Sequence, residues 1–227
     1  MIQYFHMMIN QKYQDILTSD ERAKEVAKEM LDNGFITLED FLTPEVWQQL
    51  FALMEDRSNG NKKGEELKGT IGYDLGFSDD IFNFSDKVHK ARCELEGKEY
   101  VPLVRDKQVV GFPYKDARGG AKTQPTHYHF DGAYINLIIP IVLPEDQAKS
   151  GGGVVLFPNI RKKYGTLASK FICRGLRHSA AFRNMWGHTD LTYKIGACHI
   201  FFGDITFHGV DPITDGERIV MTINSHW

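Results

Sequence analysis

The sequence predicts a mainly β domain with helices on its N-terminal side, an α+β chain of sandwich or barrel type. Amphipathic helical periodicity is confined to the first half. From Val101 onward, short apolar runs rich in β-formers alternate with Gly and Pro. Asp215-Gly216 is a two-residue turn signal with β-type residues on both sides. At 227 residues the chain can bury one sizeable core, so 1–227 is read as a single domain, with 1–100 a helical support and 101–227 the β core.

The first helix is expected from Thr18-Ser19-Asp20-Glu21, where Thr and Glu have capping-box spacing. Ala23, Val26, Ala27, Met30 and Leu31 follow at helical spacing, and Asn33-Gly34 supplies a left-handed stop. Phe35 to Leu38 is strand-like. Thr43-Pro44 offers an N-cap with proline at the first helical position, and Trp47, Leu50, Phe51 and Met54 share a face of the helix behind it. Ser58 to Lys68, rich in Gly, Asn, Lys and Glu, is expected to be a mobile loop. Expected strands are Val101–Val104, Val109–Phe112, Ala133–Leu143, Val154–Phe157, His199–Phe202 and Arg218–Asn224. The Asp215-Gly216 turn is expected to join the strand near His208 to the one beginning near Arg218 as a hairpin. Lys170 to Lys194, polar and rich in Arg, His, Asn and Trp, is either a substrate lid over the barrel mouth or a plain connection.

Lys and Arg total 27 against 30 for Asp and Glu, so the net charge of −3 provides no general basic field for nucleic acid or an anionic membrane. Neither is expected as a partner. Three cysteines without a CxxC pair argue against a disulfide framework and for a reducing compartment. The first ten residues lack the pattern of a secretory signal, and Ala133–Leu143 is too short to span a bilayer, so the expected location is cytoplasmic.

The sharpest local feature is His129-Phe130-Asp131. In extended backbone, residues two apart share a face, so the imidazole and the carboxylate can converge on one ion. His127, His178, His188, His199, His208 and His226 are candidates for a third ligand. His208, beside Gly209 and downstream of Gly203-Asp204, is the best placed. Two His and one carboxylate with open positions form the facial triad of non-heme iron oxygenases. Reflecting the chain about Asp215-Gly216 sets His208 opposite Ile223, which leaves Arg218 about five residues away, roughly 16 Å. An arginine and a small dicarboxylate laid end to end would fill that gap, and Thr222, on the same face as Arg218, could add a hydrogen bond.

The run from about Gly34 to Trp227 resembles the Fe(II)/2-oxoglutarate-dependent dioxygenase superfamily, in the style of its phytanoyl-CoA hydroxylase branch. The matching pieces are Asn33-Gly34-Phe35, Asp40-Phe41-Leu42, His129-Phe130-Asp131, Gly151-Gly152-Gly153-Val154-Val155-Leu156-Phe157-Pro158, Phe202-Gly203-Asp204, His208-Gly209-Val210 and Gly216-Glu217-Arg218. The resemblance implies a double-stranded β-helix, a jelly-roll or cupin-like barrel with helices packed on one sheet. It implies iron ligation by His129, Asp131 and His208, a 2-oxoglutarate clamp at Arg218, and O2 as the oxidant. Asp131 stands where family halogenases carry a small residue, so hydroxylation is expected. Pro158-Asn159-Ile160-Arg161 departs from the Pro-Gly-Ser-His of many relatives. The expected function is hydroxylation of an unactivated C–H bond in a small polar metabolite such as an amino acid. A peptide hydroxylase and a non-catalytic jelly-roll binding protein are the alternatives. His127 and Tyr134 are candidate substrate contacts.

Overall fold

The computed structural model describes residues 9–60, 79–117 and 126–227. The helical part begins with α1 (Gln14–Thr18) and α2 (Asp20–Asn33). Ser19 rather than Thr18 caps α2, its hydroxyl accepting from the Arg22 backbone amide at 3.2 Å. Thr18 cannot serve because it is the last residue of α1. Ala23, Val26, Ala27, Met30 and Leu31 are all buried, and Gly34 ends the helix at φ 89, a conformation that glycine adopts without steric cost. After β1 (Ile36–Leu38) comes α3 (Pro44–Gly60), with Val46, Leu50 and Met54 buried and Trp47 and Phe51 packed at the margin. Residues 61–68 of the expected loop lie outside the described residues, and 58–60 belong to α3.

A further helix, α4 (Asp79–Leu95), has no counterpart in the sequence reading. Its apolar positions Ile81, Phe84, Val88 and Ala91 are regularly spaced, but the buried face also carries Ser85, His89 and Arg92, which disguise the stripe. Arg92 is neutralised by a bidentate pair with Asp204, at 2.7 and 2.9 Å.

Among the described residues, ten strands form two antiparallel sheets. The larger has the order β1, β8 (Cys198–Phe201), β5 (Ile135–Val142), β10 (Glu217–Ser225), β2 (Val109–Gly111), with β3 (Tyr114–Asp116) also on β10. The smaller has the order β4 (Thr126–His129), β9 (Phe207–Val210), β6 (Val154–Phe157), β7 (Thr189–Leu191). Odd-numbered residues of β5 and β10, such as Leu137, Ile139 and Met221, pack against the helices. Even-numbered Ile138 and Val220 meet Val154, Leu156 and Leu191 of the smaller sheet and enclose Phe201 and Tyr193. Both faces of the larger sheet are therefore covered, which is why β5 is an almost unbroken apolar run.

Several expectations are corrected. No strand pair bridges the sheets among the described residues, so the jelly roll is two facing sheets rather than a closed barrel. Val101–Val104 is not a strand. Pro102 interrupts it, and Val104 instead donates to the His226 carbonyl at 2.8 Å ahead of a 3-10 turn. The Asp215-Gly216 turn does not make the expected hairpin: β9 pairs with β4 and β6, while Ile223 on β10 faces Leu137 and Val110. The connection carries the chain from one sheet to the other and is pinned by buried Ile213, which bridges to Gly151. Lys170–Lys194 is mostly helical, formed by α6 (Ile160–His178), α7 (Ala180–Trp186) and then β7, with α5 (Gln147–Ser150) earlier in the chain. Cys173 and Leu176 of α6 pack with Tyr128, Val155, Phe157 and Phe207 on the outer face of the smaller sheet, so this segment is packed helix rather than an open loop. The three cysteines are buried and form no disulfide. Among the described residues, no helix is long and apolar enough to cross a membrane.

Candidate metal centre

β4 and β9 run antiparallel with His129 directly opposite His208, and their ring centroids lie 4.5 Å apart. Asp131, two residues beyond His129, turns back between the rings. Its Oδ1 lies 3.1 Å from His129 Nε2 and its Oδ2 lies 3.2 Å from His208 Nε2. One donor atom from each residue falls within 4.8 Å of the others. Neighbouring ligands at about 2.1 Å from one octahedral ion stand about 3 Å apart, so the His–Asp spacings fit a shared ion.

Surrounding groups hold this arrangement. The Asp131 amide donates to the Gly203 carbonyl at 3.2 Å, and the Asn136 side-chain amide donates to Asp131 Oδ2. His208 Nδ1 lies 3.2 Å from the Thr206 carbonyl. That bond places the proton on Nδ1 and leaves the Nε2 lone pair directed at the site. Phe201 meets the His208 ring edge-on at 4.7 Å. Gly203 is needed for close approach, since a Cβ there would sit 2.7 Å from Asn136 Oδ1 and 3.0 Å from the Ala133 carbonyl. Burial alone would raise the Asp131 carboxyl, but the His129 and His208 imidazoles against it hold it far below the usual carboxylate range. His208 is nearly closed off at 7% side-chain exposure and His129 is open at 39%, so the site has one accessible side.

Arg218 lies in the interior between the sheets. It is 2% exposed and forms no ion pair among the described residues. One Nη donates to the Gly152 carbonyl, Nε has no partner, and the guanidinium lies 5.9 Å from the centre of the Tyr193 ring. Gly152, at φ 89, makes room for it, because a Cβ would stand 3.1 Å from Nη1 and 2.4 Å from Ile213. Burial pushes the Arg218 pKa down and that of Tyr193 up to about 12. An uncompensated buried guanidinium is costly, and an entering carboxylate would neutralise it. Leu156, opposite His208 in the smaller sheet, and Tyr193, beside Arg218, belong to one apolar cluster, so the donors and the arginine look into the same interior. The donor set suits iron, and Arg218 suits a dicarboxylate cosubstrate.

The remaining sequence candidates fall elsewhere. Thr222 shares the Arg218 face, and its hydroxyl donates to the Gly111 carbonyl at 3.4 Å. Tyr134 packs in the helix-facing core against His89 and Trp227, at 4.8 and 5.9 Å between centroids, not in the inter-sheet interior. The side chains of His127 and His178 lie outside the described residues. His188 approaches Asp190 at 3.4 Å. His199 is a core residue bonded through Nδ1 to Thr37 Oγ1 at 2.9 Å, and the His226 ring lies beside Gly132.

Asn136 was missed in the sequence, although a lone amide in the apolar run Ile135–Val142 was a visible signal. A second omission is a polar chain behind the site. Arg161 lies 3.9 Å over the Phe130 ring and donates to the Asp204 carbonyl at 2.8 Å, while Asp204 pairs with Arg92.

No family model matches the chain. No curated protein matches it either. Among solved structures, it is similar to a prolyl 4-hydroxylase from Phytophthora capsici, at 16% identity and a TM-score of 0.59, over 98% of this chain and 68% of that one. It is similar to SnoN, a non-heme α-ketoglutarate-dependent epimerase from nogalamycin biosynthesis, at 14% identity and a TM-score of 0.59, over 92% and 82%. A prolyl hydroxylase from Trichoplax adhaerens, in complex with a hypoxia-inducible-factor peptide fragment, matches at 15% identity and a TM-score of 0.56, over 96% and 94%. This spread does not single out the phytanoyl-CoA hydroxylase branch. The chain therefore has the jelly-roll fold of non-heme iron, 2-oxoglutarate-dependent oxygenases.

Proposed function

We propose that the chain is an Fe(II)- and 2-oxoglutarate-dependent oxygenase that hydroxylates a C–H bond. The observation that carries this reading is the pairing, within one interior, of a His-Asp-His donor group with a buried arginine that lacks an anionic partner among the described residues. Bound iron with 2-oxoglutarate and O2 supplies the oxidation of an unactivated C–H bond, coupled to decarboxylation of 2-oxoglutarate to succinate. His129, Asp131 and His208 hold the metal on one face, and Asp131, kept ionised by both imidazoles, supplies the anionic ligand. Asn136 fixes its rotamer and the Gly203 carbonyl anchors its backbone amide, while the Thr206 carbonyl fixes the His208 tautomer. Arg218 takes the distal carboxylate of 2-oxoglutarate, with Thr222 on the same face. Phe201, Leu156 and Tyr193 keep the interior dry.

The substrate is a small polar metabolite such as an amino acid. The similarity to SnoN, seen in complex with Fe3+, α-ketoglutarate and nogalamycin RO, supports a small-molecule substrate. A peptide substrate is the second reading, supported by the peptide bound to the Trichoplax relative. Three buried cysteines that form no disulfide support a cytoplasmic setting. Succinate release with ferrous iron, measured across amino-acid and peptide panels, tests the reading. Asp131→Ala should abolish it, and equal turnover in that variant would overturn the assignment.

A further inference from the structure

We infer that the outer face of α6 docks this protein on an anionic lipid surface. Gly165, at φ 71 and ψ 172, splits α6. In the following stretch, Ser169, Ile172, Cys173 and Leu176 turn toward the smaller sheet. Leu167, Lys170, Phe171 and Arg174 share the opposite side by helical spacing, and all four are exposed. Leu167 and Phe171 are each 73% exposed, and Met185 on the adjoining α7 is 79% exposed. Apolar side chains so open project from the surface instead of lining a groove, and they are concentrated on this pair of helices.

The charge carried by this segment itself is of one sign. From Gln147 to Thr189 the sequence holds eight Lys and Arg and no Asp or Glu, leaving nineteen basic against thirty acidic residues elsewhere. The net charge of −3 thus hides a basic segment in an otherwise acidic chain. Lys162, Lys163, Lys170 and Arg174 are exposed and form no ion pair among the described residues. Arg161 and Arg183 are occupied differently, over the rings of Phe130 and Tyr128.

Protruding Leu and Phe flanked by cations match what an interfacial helix presents to a bilayer. The apolar groups enter the acyl boundary while Lys and Arg reach the phosphates. A second copy of the chain is a poor occupant, because a two-fold contact would set the same cations against each other. A peptide is also poorly matched, since peptides dock in concave grooves.

Co-sedimentation of the full chain with vesicles tests the inference, using phosphatidylcholine alone and phosphatidylcholine with roughly one-third phosphatidylserine. Binding should be at least about tenfold stronger to the anionic vesicles and should weaken with salt. The Leu167→Ser/Phe171→Ser and Lys170→Glu/Arg174→Glu variants should each lose about tenfold or more while retaining the ferrous-iron titration of the parent, which reports an intact fold. Absence of vesicle binding, or equal binding by the variants, would overturn the inference. Polyglutamate binding in place of vesicle binding would reassign the face to an acidic protein, and concentration-dependent dimers that the variants abolish would reassign it to self-association. Either result also overturns it. Succinate formation is measured separately, so failure here leaves the oxygenase reading to its own test.

Discussion

His129 and His208 are paired residues on neighbouring antiparallel strands, and Asp131 bonds to both rings, at 3.1 and 3.2 Å. The two histidines are 79 positions apart in sequence, so this donor set exists only in the folded smaller sheet. A metal that binds it binds the native state alone and must stabilise that state by mass action. At a hundredfold excess over its dissociation constant, ferrous iron should add about 2.7 kcal/mol, and a chelator should remove that increment. In Asp131→Ala, melting should be the same with iron or chelator. Anaerobic thermal denaturation checks both outcomes.

Arg218 gives a prediction in which stability and function move in opposite directions. The folded chain holds this cation at 2% exposure without a counter-ion among the described residues. Arg218→Met fills a similar volume without the desolvation cost and should leave the protein as stable or stabilise it by about 1 kcal/mol. The same change should abolish the shift in urea midpoint that 2-oxoglutarate produces in the parent. A large loss of stability in Arg218→Met would show the guanidinium to be a structural tie instead.

The parts of this site that were legible in the sequence are those set by local period. His129 and Asp131 follow from two-residue alternation. Arg218 and Thr222 keep a common face on β10 although the hairpin used to place them does not exist, because strand parity survives a wrong register. Which strands pair is a long-range outcome, and Asp215-Gly216 encodes only its own turn. The helices α4 and α6 were hidden for a related reason. Their inner stripes include Ser85, His89, Arg92 and Ser169, and polar residues that find partners only after folding look like solvent-facing ones beforehand.

Asn136 should act through Asp131 rather than touch the metal. Its amide donates to Asp131 Oδ2, and Gly203 leaves it only just enough room. Asn136→Leu should cost roughly tenfold to a hundredfold in iron affinity, the usual effect of removing a partner that orients a ligand. Gly203→Ala should do the same by pushing the amide aside. Competition with a coloured iron chelator gives the affinities, and far-ultraviolet circular dichroism confirms that the variants remain folded.

His199 predicts a loss of stability in mild acid. Burial pushes its pKa down from 6.5 to about 4, since its ring is enclosed beside Thr37 and Tyr193 and Nε2 lacks a partner. The unfolded chain takes up the proton near pH 6.5 and the folded chain only near pH 4, so between these values the unfolded state binds more protons. Stability attributable to this residue should be intact above about pH 7, fall as pH drops through 6, and be lost near 4, by about 3 kcal/mol in total. His199→Gln, which keeps a hydrogen-bonding group for Thr37 but cannot titrate, should remove this component. Urea melts of parent and variant across the range isolate it, because every other titratable group is common to both proteins and cancels in the difference. A parent-minus-variant difference that does not change with pH would show that the His199 imidazole does not resist protonation in the fold.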